Sequence, residues 1–286
     1  MRSAPFPPMS EPACHYALIE AAREHHETIL ERAVTPLAAR FRGADGLESL
    51  FFVRYSEPTW QLRFRVLGDP AWIDGTARPQ VRAALAPLRE EGLATAVREA
   101  TYDRELERYG GPVGMRLAER VFHLDSLAAL DWMELERTGR TQWGRREFSL
   151  LLAERIADLF GFDEEARRLF YRQGYRWAFD TGLWDEAARA KLEERAQSNR
   201  AGLAALLDPD EPATGTAEER ALLHGYGAAL RPAGESLRAG LADGSIRAHA
   251  PYLAWSLAHM STNRLGIDPA AEAILRYLAG HRRDPG

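Results

Sequence analysis

The sequence predicts an α+β fold: a small mixed, partly antiparallel β-sheet in the first third of the chain, with a large C-terminal helical portion packed against it. Three observations predict it. Runs rich in aromatic and β-branched residues cluster between residues 50 and 102, and helical periodicity dominates from Val113 onward. The chain of 286 residues is also 45% hydrophobic, enough to bury one sizeable core. A sheet this small covers little by itself, so the helices are expected to cover one of its faces and give a single domain over residues 14–286. Residues 1–13 hold four prolines and are expected to be flexible.

Taken in order, His15–Phe41 reads as a helix ending before Gly43, with the adjacent His25 and His26 as a surface pair. LFFVRY (50–55) and WQLRFRV (60–66) read as strands joined by the turn Ser56-Glu57-Pro58-Thr59, a hairpin. Pro79–Glu91 carries helix start and stop signals, and Ala94–Tyr102 alternates like a third strand. Beyond these the predicted helices are Val113–Glu136, Arg145–Leu159, Asp163–Phe179, Asp185–Leu207, Thr216–Leu230, Ala233–Ala242, Ala248–Leu265 and Pro269–Leu278, with a loop over 208–216.

Composition excludes several classes. With 37 Lys+Arg against 42 Asp+Glu, the net charge of −5 argues against a broad basic surface for nucleic acid. The single Cys14 rules out an intrachain disulfide framework and a multi-thiolate metal site. No run is long and apolar enough for a signal peptide or a membrane span, so a cytoplasmic protein is expected. Neither a metal nor an organic cofactor is implied.

Three stretches could carry chemistry. In WQLRFRV, strand alternation puts Leu62, Phe64 and Val66 on one face and Arg63 and Arg65 on the other, the guanidinium groups roughly 7 Å apart. Such forked, permanently charged groups suit a carboxylate or developing oxyanion, although taken alone an alternating pair is more often a solvated outer face. In YDRELERYGG (102–111), Glu105 and Arg108 are three apart and would pair across a helical turn ahead of a Gly-Gly-Pro bend. In PYLAWSLAHMSTNR (251–264), Tyr252, Ser256, His259 and Asn263 fall within about 60° of one another on a helix. That stripe fits either a hydrogen-bonded structural histidine or a proton-transfer site.

FFVRY, WQLRFRV, ERYGG, then ERVFHLDS (119–126) and HMSTNR (259–264) recur in this order in the lantibiotic dehydratase C-terminal domain family, which the chain resembles over roughly residues 50–265. The resemblance implies a fold like the elimination domain of nisin dehydratase. It also implies an enzyme that removes glutamate from glutamylated serine and threonine of a precursor peptide, leaving dehydroalanine or dehydrobutyrine. The family's essential arginines and histidine fall on Arg63, Arg65, Arg108 and His259. Arg54, Tyr109 and Ser256 are the matching substrate-binding candidates, and Glu105 and Asn263 would orient Arg108 and the His259 helix. Where the family often has histidine before the first leucine of the arginine strand, this chain has Gln61. The implied partners are the precursor peptide, leader and core, and a separate glutamyl-tRNA-dependent glutamylation protein, with no direct nucleic-acid or membrane contact. The same family resemblance leaves open a thiopeptide pyridine synthase joining two dehydroalanines by formal 4+2 aza-cycloaddition, or a non-catalytic leader-peptide-binding subunit.

Overall fold

A computed structural model describes residues 12–208, 212 and 214–281. The expectation of flexibility for residues 1–13 therefore lies almost wholly outside the described residues. The chain divides into two compact units, one made of residues up to Leu50 with Tyr55–Tyr102, the other of Phe51–Arg54 with the chain from Asp103.

The first unit carries the sheet, of order β2-β3-β1-β4. Its central strand is β1 (Ala13–Glu20), antiparallel to β3 (Gln61–Gly68) on one side and to β4 (Ala96–Glu99) on the other. This overturns the helix expected from His15. Tyr16 to Ile19 are all buried, so the strand reads as a continuous apolar run, and its few apolar positions mimic helical spacing. The helix α1 occupies only residues 23–41. Nor are its histidines a surface pair: His26 is fully buried with Nε2 3.3 Å from the Ala21 carbonyl, and His25 Nδ1 lies 3.1 Å from that of Leu93.

β2 (Leu47–Tyr55) and β3 form the expected hairpin, whose turn contains a cis Glu57–Pro58 bond. The helix α2 starts at Pro70 rather than Pro79 and runs over residues 70–85, with Asp69 capping it by accepting from Trp72 N. β4 is shorter than expected because only Ala17–Glu20 of β1 are opposite it; Thr95 and Ala100 make the last backbone bonds at its ends.

The second unit holds seven helices among the described residues: α3 (Pro112–Arg137), α4 (Arg145–Phe160), α5 (Glu164–Asp180), α6 (Glu186–Leu206), α7 (Ala217–Asp243), α8 (Ala250–Arg264) and α9 (Pro269–His281). Most match the predicted spans to within a few residues, since their caps are local signals: Asp163, Asp185 and Thr216 each accept a first-turn amide. The exception is α7, which runs unbroken through Pro232 where two helices were expected. Leu223, Tyr226, Leu230, Ala233 and Leu237 stay in phase and buried across the proline, so packing offsets the lost backbone bond.

Inside this unit a buried polar cluster replaces apolar packing. Arg264 donates to Asp125 at 2.9 Å and to Ser126 at 2.8 Å, and Tyr226 donates to Asp125 at 3.1 Å. Asp125, Ser126 and Arg264 belong to the ERVFHLDS and HMSTNR stretches and lock α8 to α3, with Tyr226 joining from α7. Ser126 also accepts the Phe52 amide at 3.3 Å. No helix is long and apolar enough to cross a membrane among the described residues.

Candidate active site

In the sheet unit, β3 alternates as expected: Leu62, Phe64 and Val66 are fully buried. The arginine face is not a plain solvated surface. Arg65 is only 9% exposed, and its guanidinium lies 4.3 Å from the ring of Tyr16, its cross-strand neighbour, and 4.6 Å from that of Tyr102. Burial pulls the Arg65 pKa down, with Tyr16 and Tyr102 opposing, and the group stays charged at neutral pH. Two π-faces thus hold a buried cation in place. Arg63, more accessible, sits 3.6 Å over the Tyr55 ring and donates to Gln61 Oε1 at 3.4 Å. Gln61 in turn donates to the Glu57 and Thr59 carbonyls at 2.8 and 3.3 Å. The amide that stands where the family often has histidine therefore ties the hairpin turn to Arg63.

In the helical unit, the turn over residues 104–108 is anchored at both ends. Arg104 donates to the buried Glu119 of α3 at 2.7 Å. Arg108 pairs with Glu105 at 2.9 Å, as the spacing predicted, and its Nε donates to Ser256 Oγ of α8 at 3.4 Å. Gly110 follows at φ +78, and a Cβ there would meet Ile246 Cγ2 at 2.7 Å, while its carbonyl accepts from Arg247 N at 2.9 Å. Only glycine permits both the left-handed turn and the close approach. Burial opposes the Arg108 charge, but Tyr109 and Glu105 beside it raise its pKa overall. Tyr109 itself is buried edge-on against Phe122, and burial pushes its hydroxyl up to about 12, so it stays neutral. A cavity of about 670 Å³ opens here, lined by Arg104 to Arg108, Tyr252 and Trp255.

His259 lies on α8 one turn beyond Ser256, its ring stacked on Trp255 at 5.6 Å. Its Nδ1 is 2.6 Å from Oε2 of Glu272, which is 3% exposed. Arg276 contacts the other Glu272 oxygen at 3.4 Å and donates to Thr262 at 2.9 Å and the Ala258 carbonyl at 3.2 Å. A carboxylate fixed this way accepts a hydrogen bond from Nδ1–H, which keeps that proton on Nδ1 and leaves Nε2 as the nitrogen available for exchange. With its side chain 27% exposed, His259 is reachable from solvent.

The remaining expected residues serve one another. Asn263 accepts the Arg54 amide at 2.9 Å and donates to the Arg54 carbonyl at 2.8 Å. The Arg54 side chain donates to the Arg264 carbonyl at 3.0 Å, a cation on the C-terminal end of α8. The helical unit thus joins Arg108 to Ser256, one turn before His259 on α8, and the sheet unit sets Arg63 against the Tyr55 ring and Arg65 against those of Tyr16 and Tyr102. Sequence reasoning missed Glu272, Arg276, Trp255, Tyr16 and Tyr55. Trp255 shares the His259 face at one-turn spacing and was findable, whereas Glu272 lies beyond a helix break with no periodic link.

A profile described as lantibiotic biosynthesis dehydratase C-term matches residues 15–282. The subtilin biosynthesis protein SpaB of Bacillus subtilis is 41% identical over 76 residues, which are 27% of this chain and 7% of SpaB. The nisin biosynthesis protein NisB of Lactococcus lactis subsp. lactis is 27% identical over 104 residues, 36% of this chain and 10% of NisB. The matched stretches thus span a small part of either relative. Among solved structures, the tRNA-dependent lantibiotic dehydratase MibB from Microbispora sp. 107891 superimposes with a TM-score of 0.71 at 25% identity, over 98% of this chain and 29% of MibB. The pyridine synthase TbtD from thiomuracin biosynthesis gives 0.68 at 17% identity, over 94% of this chain and 97% of TbtD, which establishes a shared fold. The chain belongs to the lantibiotic biosynthesis dehydratase C-terminal family.

Proposed function

We propose that this protein eliminates glutamate from glutamylated serine and threonine residues of a precursor peptide, in the cytoplasm, downstream of a separate glutamyl-tRNA-dependent glutamylation protein. In the reaction the Cα proton leaves, its electron pair forms the Cα=Cβ bond, and the Cβ–O bond breaks to release glutamate as a carboxylate. The chemistry requires a proton-exchanging group near neutral pH and cations for the enolate and the departing carboxylate. The observation that supports the reading is the hydrogen bond from Arg108 to Ser256 on α8, the helix that one turn later carries His259 with its Nδ1 held by Glu272. In this reading His259 exchanges the proton, while Arg63, Arg65 and Arg108 bind the glutamyl group and the developing charge. Tyr109 and Ser256, both buried beside Arg108, support it from behind rather than touching substrate, Arg54 and Asn263 hold α8, and Glu105 orients Arg108.

The test is glutamate release from a synthetic glutamylated peptide, followed by mass spectrometry. Wild type is expected to release glutamate and to gain a dehydroamino acid for each one lost. Arg65→Ala should slow release by about 10²–10³-fold, the usual loss for one oxyanion-stabilising donor. If wild type releases none and instead converts a bis-dehydroalanine peptide into a pyridine, the cycloaddition reading replaces this one. Binding of leader peptide without either reaction would leave a recruitment subunit.

A further inference from the structure

Away from these residues, a second cavity of about 530 Å³ lies in the helical unit between α4 and α7. Its wall is one continuous face of α7. Arg220, His224, Gly227, Arg231, Gly234 and Arg238 recur at alternating intervals of four and three, the spacing of a single helical stripe about 27 Å long. Opposite them, α4 contributes Arg155, Asp158 and Leu159. The helices close tightly at one end, where a Cβ on Gly234 would meet Leu159 at 3.0 Å, and so the stripe opens as a groove.

The charge in this groove is not neutralised by its own surroundings. Arg155 pairs with Asp158 at 3.1 Å, and Asp158 is shared with Arg167 at 2.5 Å. Arg220 donates instead to the Gly215 carbonyl and Arg238 to the Leu159 carbonyl, each at 2.5 Å. These bonds fix the guanidinium groups but leave their charge intact. Among the described residues, Arg220, Arg231 and Arg238 form no ion pair, in a chain whose net charge is −5. Three aligned cations on an otherwise acidic protein, the outer two anchored to carbonyls, mark a site for an anion.

The class of anion follows from the rest of the wall. No Phe, Tyr or Trp among the described residues lines the groove, so it offers no stacking platform for bases. Leu159, Leu223 and Ala228 present apolar surface between the charges, which suits apolar side chains better than a continuous phosphate backbone. Arg231 and Arg238 stand about 10 Å apart along the helix, a spacing suited to separate carboxylates rather than consecutive phosphates. We infer that the α4–α7 groove binds an acidic peptide segment, its carboxylates on Arg220, Arg231 and Arg238 and its apolar side chains between them. The site draws on none of the residues assigned to elimination, so each stands or falls separately.

The test is fluorescence anisotropy of the full chain with three labelled probes: a glutamate- and leucine-rich peptide, its glutamine-for-glutamate counterpart, and a single-stranded RNA of equal length. The acidic peptide is expected to bind, more weakly as salt rises. Arg231→Glu should weaken it by about tenfold or more, as for truncation of an interfacial charge. Ala228→Glu, which adds a carboxylate at an exposed helical position in the wall, should weaken it too, with an unchanged melting curve. Arg89→Glu, an exposed reversal in the other unit, should leave binding unaltered. Equal binding of the neutral peptide, tighter binding of RNA, no binding by wild type, or full binding by both groove variants would each overturn the assignment.

Discussion

The two groups of cations and bases in this protein are held by opposite means. In the sheet unit, Arg63 and Arg65 lie against aromatic faces, Tyr55 at 3.6 Å for the first, Tyr16 and Tyr102 at 4.3 and 4.6 Å for the second. In the helical unit, Arg108 and His259 lie against carboxylates, Glu105 at 2.9 Å and Glu272 at 2.6 Å. A π-face orients a guanidinium without cancelling its charge, and the charge remains available to an anionic ligand. A carboxylate instead sets the tautomer and direction of the group it holds. The difference teaches that anion holding and proton handling place different demands on the supporting residues, and that rings or acids near a site report which demand is being met.

The comparison breaks most directly at the histidine. His259→Ala should reduce glutamate release by about 10²–10⁴-fold, the range for a positioned acid or base, with the glutamylated peptide still bound. A variant that loses binding and keeps turnover would move His259 into the anion-holding group.

The next largest effect is on stability. Asp125→Ala leaves Arg264, which is fully buried, without its carboxylate, and should cost about 3–5 kcal/mol in a urea titration. Unfolding unchanged by this substitution would show that Tyr226 and Ser126 suffice to hold the cluster.

Glu272→Gln tests the carboxylate itself. Loss of a hydrogen bond to a charged group is worth about 1.5–3 kcal/mol, so turnover should fall roughly 10- to 100-fold with KM little changed. Glu272→Asp should recover part of it, whereas a purely structural role would lower the melting temperature in both variants. By contrast, Tyr102→Leu removes one of the two rings around Arg65. At about 0.5–2 kcal/mol for a cation–π contact, it should raise KM roughly 2- to 30-fold and leave turnover near wild type.

The smallest effect is a pH dependence in the sheet unit. His15 on β1 is 1% exposed, and burial lowers its pKa from the ordinary 6.5, with Glu99 opposing and Arg78 and Arg82 assisting. The unfolded chain therefore takes up a proton before the folded one as pH falls. Stability is full above about pH 6.5 and declines below it, and His15→Gln should flatten that slope in melting curves recorded from pH 7.5 to about 5.5.

How much of this was legible follows from the range over which each signal acts. The β2–β3 hairpin, the alternation of Arg63 and Arg65, the Glu105–Arg108 pair and the caps of α5, α6 and α7 are local, set by residues a few positions apart, and the sequence alone determined them. Ordered motifs likewise determined the family. Tertiary structure alone decided that Ala13–Glu20 is a strand, because a central strand buried by neighbours on both sides carries no alternation. It decided that α7 continues through Pro232, because packing of its buried face outweighs a local break. It also decided which groups hold the reactive ones: Tyr16 reaches Arg65 across a ladder and Glu272 reaches His259 from another helix. Such partners are neighbours in space and distant along the chain, and no periodicity encodes a contact that only folding creates.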